Sequence, residues 1–439
     1  MPDILQQAST LRKSNKFEEA VELYETAYND PQVILNNWDI WGYVHSLRKI
    51  GQLDKSIELS EKHIIEYPEF PNLKNNLVWA YFDKSIKKFV SNKVSDTEHA
   101  LERIFVLQGQ MEVNDEKSVP CPFCVGVFKV LKAYKKPNFN ASKIRYWLDK
   151  LDPEKLSKKE QTTVSEDSKE RKLASDYENY YSYLATLLYK EKKFQESIEV
   201  SEFALANIQK FHYDNNIWFK RRIALCHIEL GDLSKGEEIL KSLDSGKGEK
   251  WFIENDISLI YFEQNDFEKA LEYALKAAKN FGDDLMKINL YIHLARIFFK
   301  LQKPDEAKVH AELVIAIKQA NDSRIDMELQ KLITYFKIDI SQKFDLRAKK
   351  KEAEKIWDNH LFEGQEKLKG TINKILPNGK SGFIKQDNSR EAYYFNFSSV
   401  KARKQDIQEG KSVKFFLKNS FDKKRNKESK EAIEIVILK

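Results

Sequence analysis

Glycine and proline are scarce in this chain, 14 and 10 among 439 residues. A sandwich or barrel built from many short strands needs turn residues at higher density, so an all-β architecture is excluded and long helices are favoured. Cysteine is scarcer still. Cys121, Cys124 and Cys226 make no disulfide framework, and the opening Met1-Pro2-Asp3-Ile4-Leu5-Gln6-Gln7 has neither the basic segment nor the apolar stretch of a secretion signal. Both point to a reducing, cytoplasmic setting. Long hydrophobic runs are missing too: Ile257 to Phe262 is flanked by acids and falls far short of the roughly 18 to 20 residues a bilayer crossing needs. No membrane span is expected. What is plentiful is charge, at 32%, and apolar material, at 41% with 12% aromatic. That is the composition of a soluble chain of several domains with ample core.

The net charge of +6 is unevenly spread. From Glu366 to Lys439 there are 18 Lys and Arg against nine Asp and Glu, a local +9 that leaves −3 for everything before it. A cationic end of this kind suits a polyanionic partner.

Internal repeats set the organisation of the rest. Ala8, Leu11, Phe17, Ala20, Tyr24 and Ala27 place small residues where two helices must approach closely and a large apolar residue after the turn between them. The frame returns 36 positions on as Val44, Leu47, Leu53, Ser56, Ser60 and His63, with Gly51 in the turn and Pro68 closing the unit. It recurs as Ala185, Leu188, Phe194, Ser197, Ser201 and Ala204, and more loosely as Ala224, His227, Leu233, Gly236 and Leu240. Two further copies are Ser258, Tyr261, Phe267, Ala270, Ala274 and Ala277, then Ala295, Phe298, Pro304, Ala307, Ala311 and Val314. These residues resemble the tetratricopeptide repeat, a helical hairpin of about 34 residues with small side chains at its helix crossing. The resemblance implies a stacked solenoid whose groove holds a peptide or another protein.

The second and third copies are separated by about 100 residues that break the period. Helix-like stretches over Asn75 to Lys88, Asp96 to Gln108, Val125 to Tyr134 and Lys143 to Leu151 are interrupted by Pro120, Pro122, Pro137 and Pro153, and Ser157 to Lys172 reads as a mobile loop or helix start. The expected domains are 1–69 (N-terminal helical repeats), 70–176 (irregular helical insertion or degenerate repeats), 177–343 (C-terminal helical repeats), 344–367 (charged helix or linker) and 368–439 (a barrel). The expected fold class is mainly α, a helical-hairpin repeat solenoid followed by a small five-stranded β-barrel of the OB type.

That barrel is read from strands at Leu368 to Ile375, Ser381 to Lys385, Ala392 to Phe397, Ser412 to Lys418 and Ala432 to Leu438. Gly370-Thr371-Ile372 followed by Asn378-Gly379-Lys380-Ser381-Gly382-Phe383-Ile384 looks like the first strand pair of a cold-shock domain, including its first ribonucleoprotein motif. Tyr393-Tyr394-Phe395-Asn396-Phe397-Ser398-Ser399-Val400 looks like the second motif, and Ile407 to Phe415 matches the entry to the fourth strand. Alternation places Phe383, Tyr394 and Asn396 on one face, with Phe397 at its end and Ile384, Tyr393 and Phe395 towards the core. The resemblance implies that Phe383, Tyr394 and Phe397 stack unpaired bases, with Asn396 at the family's polar histidine position. Lys374 and Ser381 stand where the family has rings, so part of the stacking platform is missing. Lys374, Lys380, Lys385, Lys414, Lys423, Lys424 and Arg425 are the expected phosphate contacts. An array of helical repeats joined to such a barrel is also similar in architecture to accessory proteins of prokaryotic conflict (defence) systems.

Signals for catalysis are weak. Cys121-Pro122-Phe123-Cys124 has metal-like spacing but no second ligand pair nearby, and is better read as two buried thiols. Gly379-Lys380-Ser381 ends like a phosphate-binding loop, yet Lys374 replaces the leading glycine and a strand follows, so it is a β-turn. The eight histidines form no ligand pair at helical spacing. The expectation is a non-enzymatic adaptor without metal or cofactor. It would bind single-stranded RNA or DNA, RNA favoured, through the barrel and a protein or peptide in the repeat groove. The alternative is a protein-interaction scaffold whose basic barrel meets an acidic partner.

Overall fold

The structure is a computed structural model that describes residues 4–111, 120–136, 138–164, 170–244, 250–422 and 427–438. It is mainly α, with helical hairpins in series followed by a closed five-stranded barrel. Two compact units, 1–245 and 246–439, are distinct.

In the first unit the hairpins are α1 (Ile4–Lys13) with α2 (Phe17–Asn29), α3 (Asn37–Lys49) with α4 (Leu53–Ile64), α9 (Asp176–Lys190) with α10 (Phe194–Asn207), and α11 (Asn215–Glu229) with α12 (Leu233–Asp244). Their small residues are where the helices cross. Ala8, Ala20, Ser56, Ser60, Ser197, Ser201, Ala204 and Ala224 are all fully or almost fully buried. Two of these serines donate across the crossing: Ser56 Oγ to the Val44 carbonyl at 2.8 Å and Ser197 Oγ to the Ala185 carbonyl at 2.9 Å. Gly236 is required for the same reason, since a Cβ there would lie 2.5 Å from Ile228 and 3.1 Å from the Ala224 carbonyl oxygen.

Among the described residues, four α-helices stand between the second and third repeat hairpins, α5 (Pro71–Tyr81), α6 (Val94–Leu107), α7 (Pro122–Lys135) and α8 (Ala141–Leu148). Pro71 and Pro122 open their helices at the first turn, where a missing N–H costs nothing. Phe123, Val127, Leu131, Ile144 and Trp147 form one core with Tyr177, Tyr181 and Leu187 of α9, so this segment packs onto the repeat that follows it. Cys121 and Cys124 are free and buried in that core. The Ser157 to Lys172 stretch corrects the sequence reading. Its described part forms an antiparallel pair, β1 (Gln161–Val164) with β2 (Glu170–Leu173), preceded by a 3-residue helical turn at Pro153–Lys155. Polar sequence hid this ribbon, which is held by charge: Glu160 accepts from Lys172 and Lys210, and His212 bridges Glu160 to the buried Glu178.

The second unit begins with α13 (Trp251–Glu263) and α14 (Phe267–Lys279), then α15 (Ile288–Lys300) and α16 (Pro304–Ala320), α17 (Met327–Phe336) and α18 (Leu346–Leu361). Ser258 Oγ donates to the Ala270 carbonyl at 2.7 Å, the serine bond of the other repeats run in the opposite direction. All six repeat hairpins turn through one left-handed residue seven positions after the first small residue: Asn15, Gly51, Lys192, Gly231, Asn265 and Gln302, with φ from 59° to 89°. Helix α18 is the charged segment of the sequence. It is anchored by two buried residues, Ala353 and Trp357; the indole stacks on Tyr291 at 5.7 Å and donates to His310 Nε2 at 2.7 Å.

The barrel strands are β3 (Leu368–Ile375), β4 (Ser381–Gln386), β5 (Ala392–Asn396), β6 (Ser412–Asp422) and β7 (Lys427–Ile437). They close in the order β3-β4-β5-β7-β6, with β6 returning to β3 and β5 running parallel to β7. Ile372, Ile384, Phe395, Val413, Phe415 and Ile435 fill the interior. The last two strands exceed the sequence expectation: their pairing runs on from Lys418–Glu431 to Asp422–Lys427 as a two-stranded ribbon.

Candidate nucleic-acid interface

Alternation along β4 and β5 sends Ile384 and Phe395 inward and Phe383 and Tyr394 outward. The two outward residues are direct cross-strand partners, their rings 5.8 Å apart and inclined at 73°. Both are half-buried, each showing part of its ring to solvent. Close approach of the strands depends on Gly382, where a Cβ would sit 2.4 Å from the Lys374 carbonyl oxygen and 2.8 Å from the Phe395 ring.

A bulge at Asn373 matters for the charge. Ile372 pairs with Ile384, yet Lys374 pairs with Phe383, so the extra residue brings exposed Lys374 to the outward position opposite the aromatic pair. One step along the same face lies exposed Lys385, opposite Thr371 on β3 and Ala392 on β5. Lys414 on β6 is half-buried and opposite Lys369 of β3, an exposed lysine that sequence reasoning passed over. Lys380 is exposed in the turn before β4, where its carbonyl accepts from the Phe397 N–H at 2.9 Å. At the far end of β4, Lys385 and Arg390 border an open hollow of about 540 Å³ that also includes Thr371 and Ser389. Lys423, Lys424 and Arg425 lie outside the described residues.

Asn396 lies beside the rings and is held on both sides. Its Oδ1 accepts from the Tyr394 hydroxyl at 3.2 Å and its Nδ2 donates to Glu431 Oε1 at 3.1 Å. Glu431 is the β7 partner of Tyr394 where β5 and β7 run parallel. A carboxylate therefore borders the aromatic pair on the side away from Lys374, so the face has a cationic edge and an acidic edge. Phe397 is set apart from the pair. It begins the short turn Phe397–Ser399, is half-buried against the barrel core, and lies parallel to Phe395 at 5.9 Å and 12°. Ser381 is buried and hydrogen-bonded with Asn378 at 3.0 Å. Tyr393 packs against the core, and burial, with Glu391 adding to it, pushes its phenol up to about 12.

No family model matches this chain, and no curated protein matches it in sequence. Solved structures similar to it include pilF of Pseudomonas aeruginosa, at 11% identity, covering 60% of this chain and 99% of that one with a TM-score of 0.34. A human IFIT1 dimer with PPP-AAAA matches at 12% identity over 81% of this chain and 80% of that one, TM-score 0.34. A tetratricopeptide repeat protein from Parabacteroides merdae matches at 12% identity over 65% of this chain and 95% of that one, TM-score 0.28. At these scores the likeness decides nothing about ligand or activity. Among the described residues no helix is long and apolar enough to cross a membrane.

Proposed function

We propose that the chain is a non-enzymatic adaptor whose barrel binds single-stranded nucleic acid, RNA favoured, and whose helical repeats hold a protein partner. The observation that supports this most directly is the outward pairing of Phe383 with Tyr394, with Lys374 and Lys385 on the same face. Two inclined rings suit one or two unstacked bases, each worth about 1–3 kcal/mol. The lysines on β3, β4 and β6 neutralise phosphates as the strand passes, which makes affinity fall steeply with salt. Stacking reads no base edge, so sequence selectivity is shallow.

Fluorescence anisotropy of the full chain with a labelled oligonucleotide, in RNA and DNA versions, tests this. Tight binding at low salt that is lost in the Phe383→Ala/Tyr394→Ala double variant is the expected result. Unchanged binding in that variant removes the stacking mechanism, and no binding even at low salt favours a barrel that meets an acidic protein. Degradation of the oligonucleotide, with or without added divalent metal, would overturn the non-enzymatic reading.

A further inference from the structure

Between Pro120 and Leu148 the chain has no Asp or Glu. Helix α7 lies within this stretch. It turns Val127, Val130 and Leu131 to the core, which leaves Lys129 and Lys132 on the opposite side and Lys135 and Lys136 at the C-terminal end. Lys129 crosses to the short helical segment Phe82–Ile86, where its Nζ donates to the Ile86 carbonyl at 2.6 Å and to the Lys87 carbonyl at 3.3 Å. Those bonds set Lys87 and Lys88 beside α7.

Among the described residues no carboxylate lies within ion-pair distance of any of these six lysines, and all but Lys129 are exposed. The basic residues that follow in the chain behave differently: Lys143 reaches Glu98 at 3.0 Å, Lys150 reaches Glu102 at 3.1 Å, and Arg145 reaches Glu191. Lys135 lies over the Tyr183 ring at 5.2 Å, where desolvation, then Lys136 and Arg222 of α11, hold its ammonium below the ordinary lysine range. Both charges acting on it are positive. The C-termini of α7 and of Phe82–Ile86 suit cations, but each carries only about half a negative charge. Most of the positive charge on this side of the unit is left unanswered.

We infer that this lysine stripe is a second nucleic-acid contact, carried by the first compact unit, on which the phosphates of the backbone lie. Lysine is depleted from protein interfaces, whose affinity comes from buried aromatic and apolar anchors. The stripe lacks such anchors, since none of the large apolar residues of α7 is exposed. Phosphates ask only for cations, and a run of lysines without interspersed acids supplies them. Without stacking rings the contact is weak, indifferent to sequence and steeply salt-dependent, and tight binding is left to the barrel. The stripe goes beyond the barrel reading, and neither depends on the other.

Lysine acetylation of the full chain, read residue by residue by mass spectrometry with and without oligouridine, tests this. Lys87, Lys88, Lys132 and Lys136 are expected to react about threefold or more slowly in the presence of the RNA at about 50 mM salt, with the protection fading by about 0.5 M. In Lys88→Gln/Lys132→Gln/Lys136→Gln the protection of Lys87 and Lys135 should be lost, while Lys374 and Lys385 of the barrel stay protected and the helical circular dichroism is unchanged. The corresponding triple replacement by arginine should keep the protection of Lys87 and Lys135. Protection of the barrel lysines alone, or protection of Lys87 and Lys135 that survives the glutamine replacements, overturns the inference and leaves the barrel reading standing. Protection of the stripe alone overturns the barrel reading and supports this one. Polyglutamate that protects the stripe as well as the RNA does makes it a surface for an acidic protein and overturns the nucleic-acid assignment. Protection of neither set counts against both.

Discussion

Phe362, just past the end of α18, lies face to face with Phe416 of β6, ring centroids 4.2 Å apart and planes within 7°. Around this stack, cations and anions alternate. Lys279 of α14 reaches Asp358 of α18 and Glu434 of β7, and Lys401 reaches the same two carboxylates at 3.0 and 2.6 Å. The barrel is thereby joined to the helices before it by contacts, and not by the linker alone.

Phe416→Ala should loosen that junction, at a cost of about 1 kcal/mol for the lost ring pair beyond the area exposed. Hydrogen exchange in α18 and in the first half of β6 should rise together. Glu434→Gln leaves two lysines around a single carboxylate, and because these groups are partly exposed the expected loss is about 1–2 kcal/mol, smaller in high salt. Exchange that rises in the barrel alone would mean that the junction contributes nothing to α18.

Acid should destabilise the second unit through His310. Its Nδ1 donates to the Glu306 carbonyl and its Nε2 accepts from Trp357, an arrangement available only to the neutral ring. Burial pushes its pKa from 6.5 down to about 4. Between those values the unfolded chain takes up the proton and the folded one does not, so this contribution is complete above pH 6.5 and is lost as pH falls towards 4. The full loss is about 3 kcal/mol. Denaturant titrations from pH 7 to 4 should show the slope, and His310→Gln should reduce it, leaving the part due to His293, whose imidazole burial pushes down to about 3.

The left-handed turn residues offer stabilising substitutions. Lys192 and Gln302 hold φ near +60° with a Cβ in place. Lys192→Gly and Gln302→Gly should each raise stability by about 0.5–1 kcal/mol by removing that strain. Gly51→Ala or Gly231→Ala should lower it by a similar amount. Thermal melts of the four variants decide the matter, and equal midpoints would show that these turns bear no strain.

On the barrel face, Glu431 opposes a passing phosphate. Glu431→Gln should raise oligonucleotide affinity about two- to fivefold at low salt, with the gain fading by 0.5 M salt as charges are screened. Lys374→Gln should weaken binding and reduce the salt slope by about one. A Glu431→Gln variant that binds less well would mean that this carboxylate contacts the bases themselves.

The repeat hairpins were legible because helix crossings admit only small side chains, and Ala8, Ser56 and Ala270 recur at hairpin spacing. Gly51 marked its turn as well, but the left-handed residue of other hairpins was hidden at Asn15, Lys192 and Gln302, which adopt a glycine-like backbone without being glycine. Strict alternation revealed which way Phe383 and Tyr394 point. It said nothing of Glu431, which reaches Tyr394 only through a parallel pairing of strands 37 residues apart in sequence. Helix α18 read only as a charged helix or linker because its run of lysines and glutamates masks a single buried side, Ala353 and Trp357. The β1–β2 ribbon escaped because its strands are polar and lean on ion pairs in place of apolar alternation.

The two-stranded extension of β6 and β7 puts one pair of strands in two environments. Up to Phe415, β6 is flanked by β3 as well as β7; from Lys418 onward its only strand neighbour among the described residues is β7. Amides within one continuous ladder should therefore exchange at graded rates, slow at the closed end and fast at the projecting end. Among the described residues no other strand pairs with the projecting end, where charges such as those of Lys418, Lys430 and Glu428 disfavour pairing with another chain. Neutralising those charges would turn a tolerated overhang into a template for self-association.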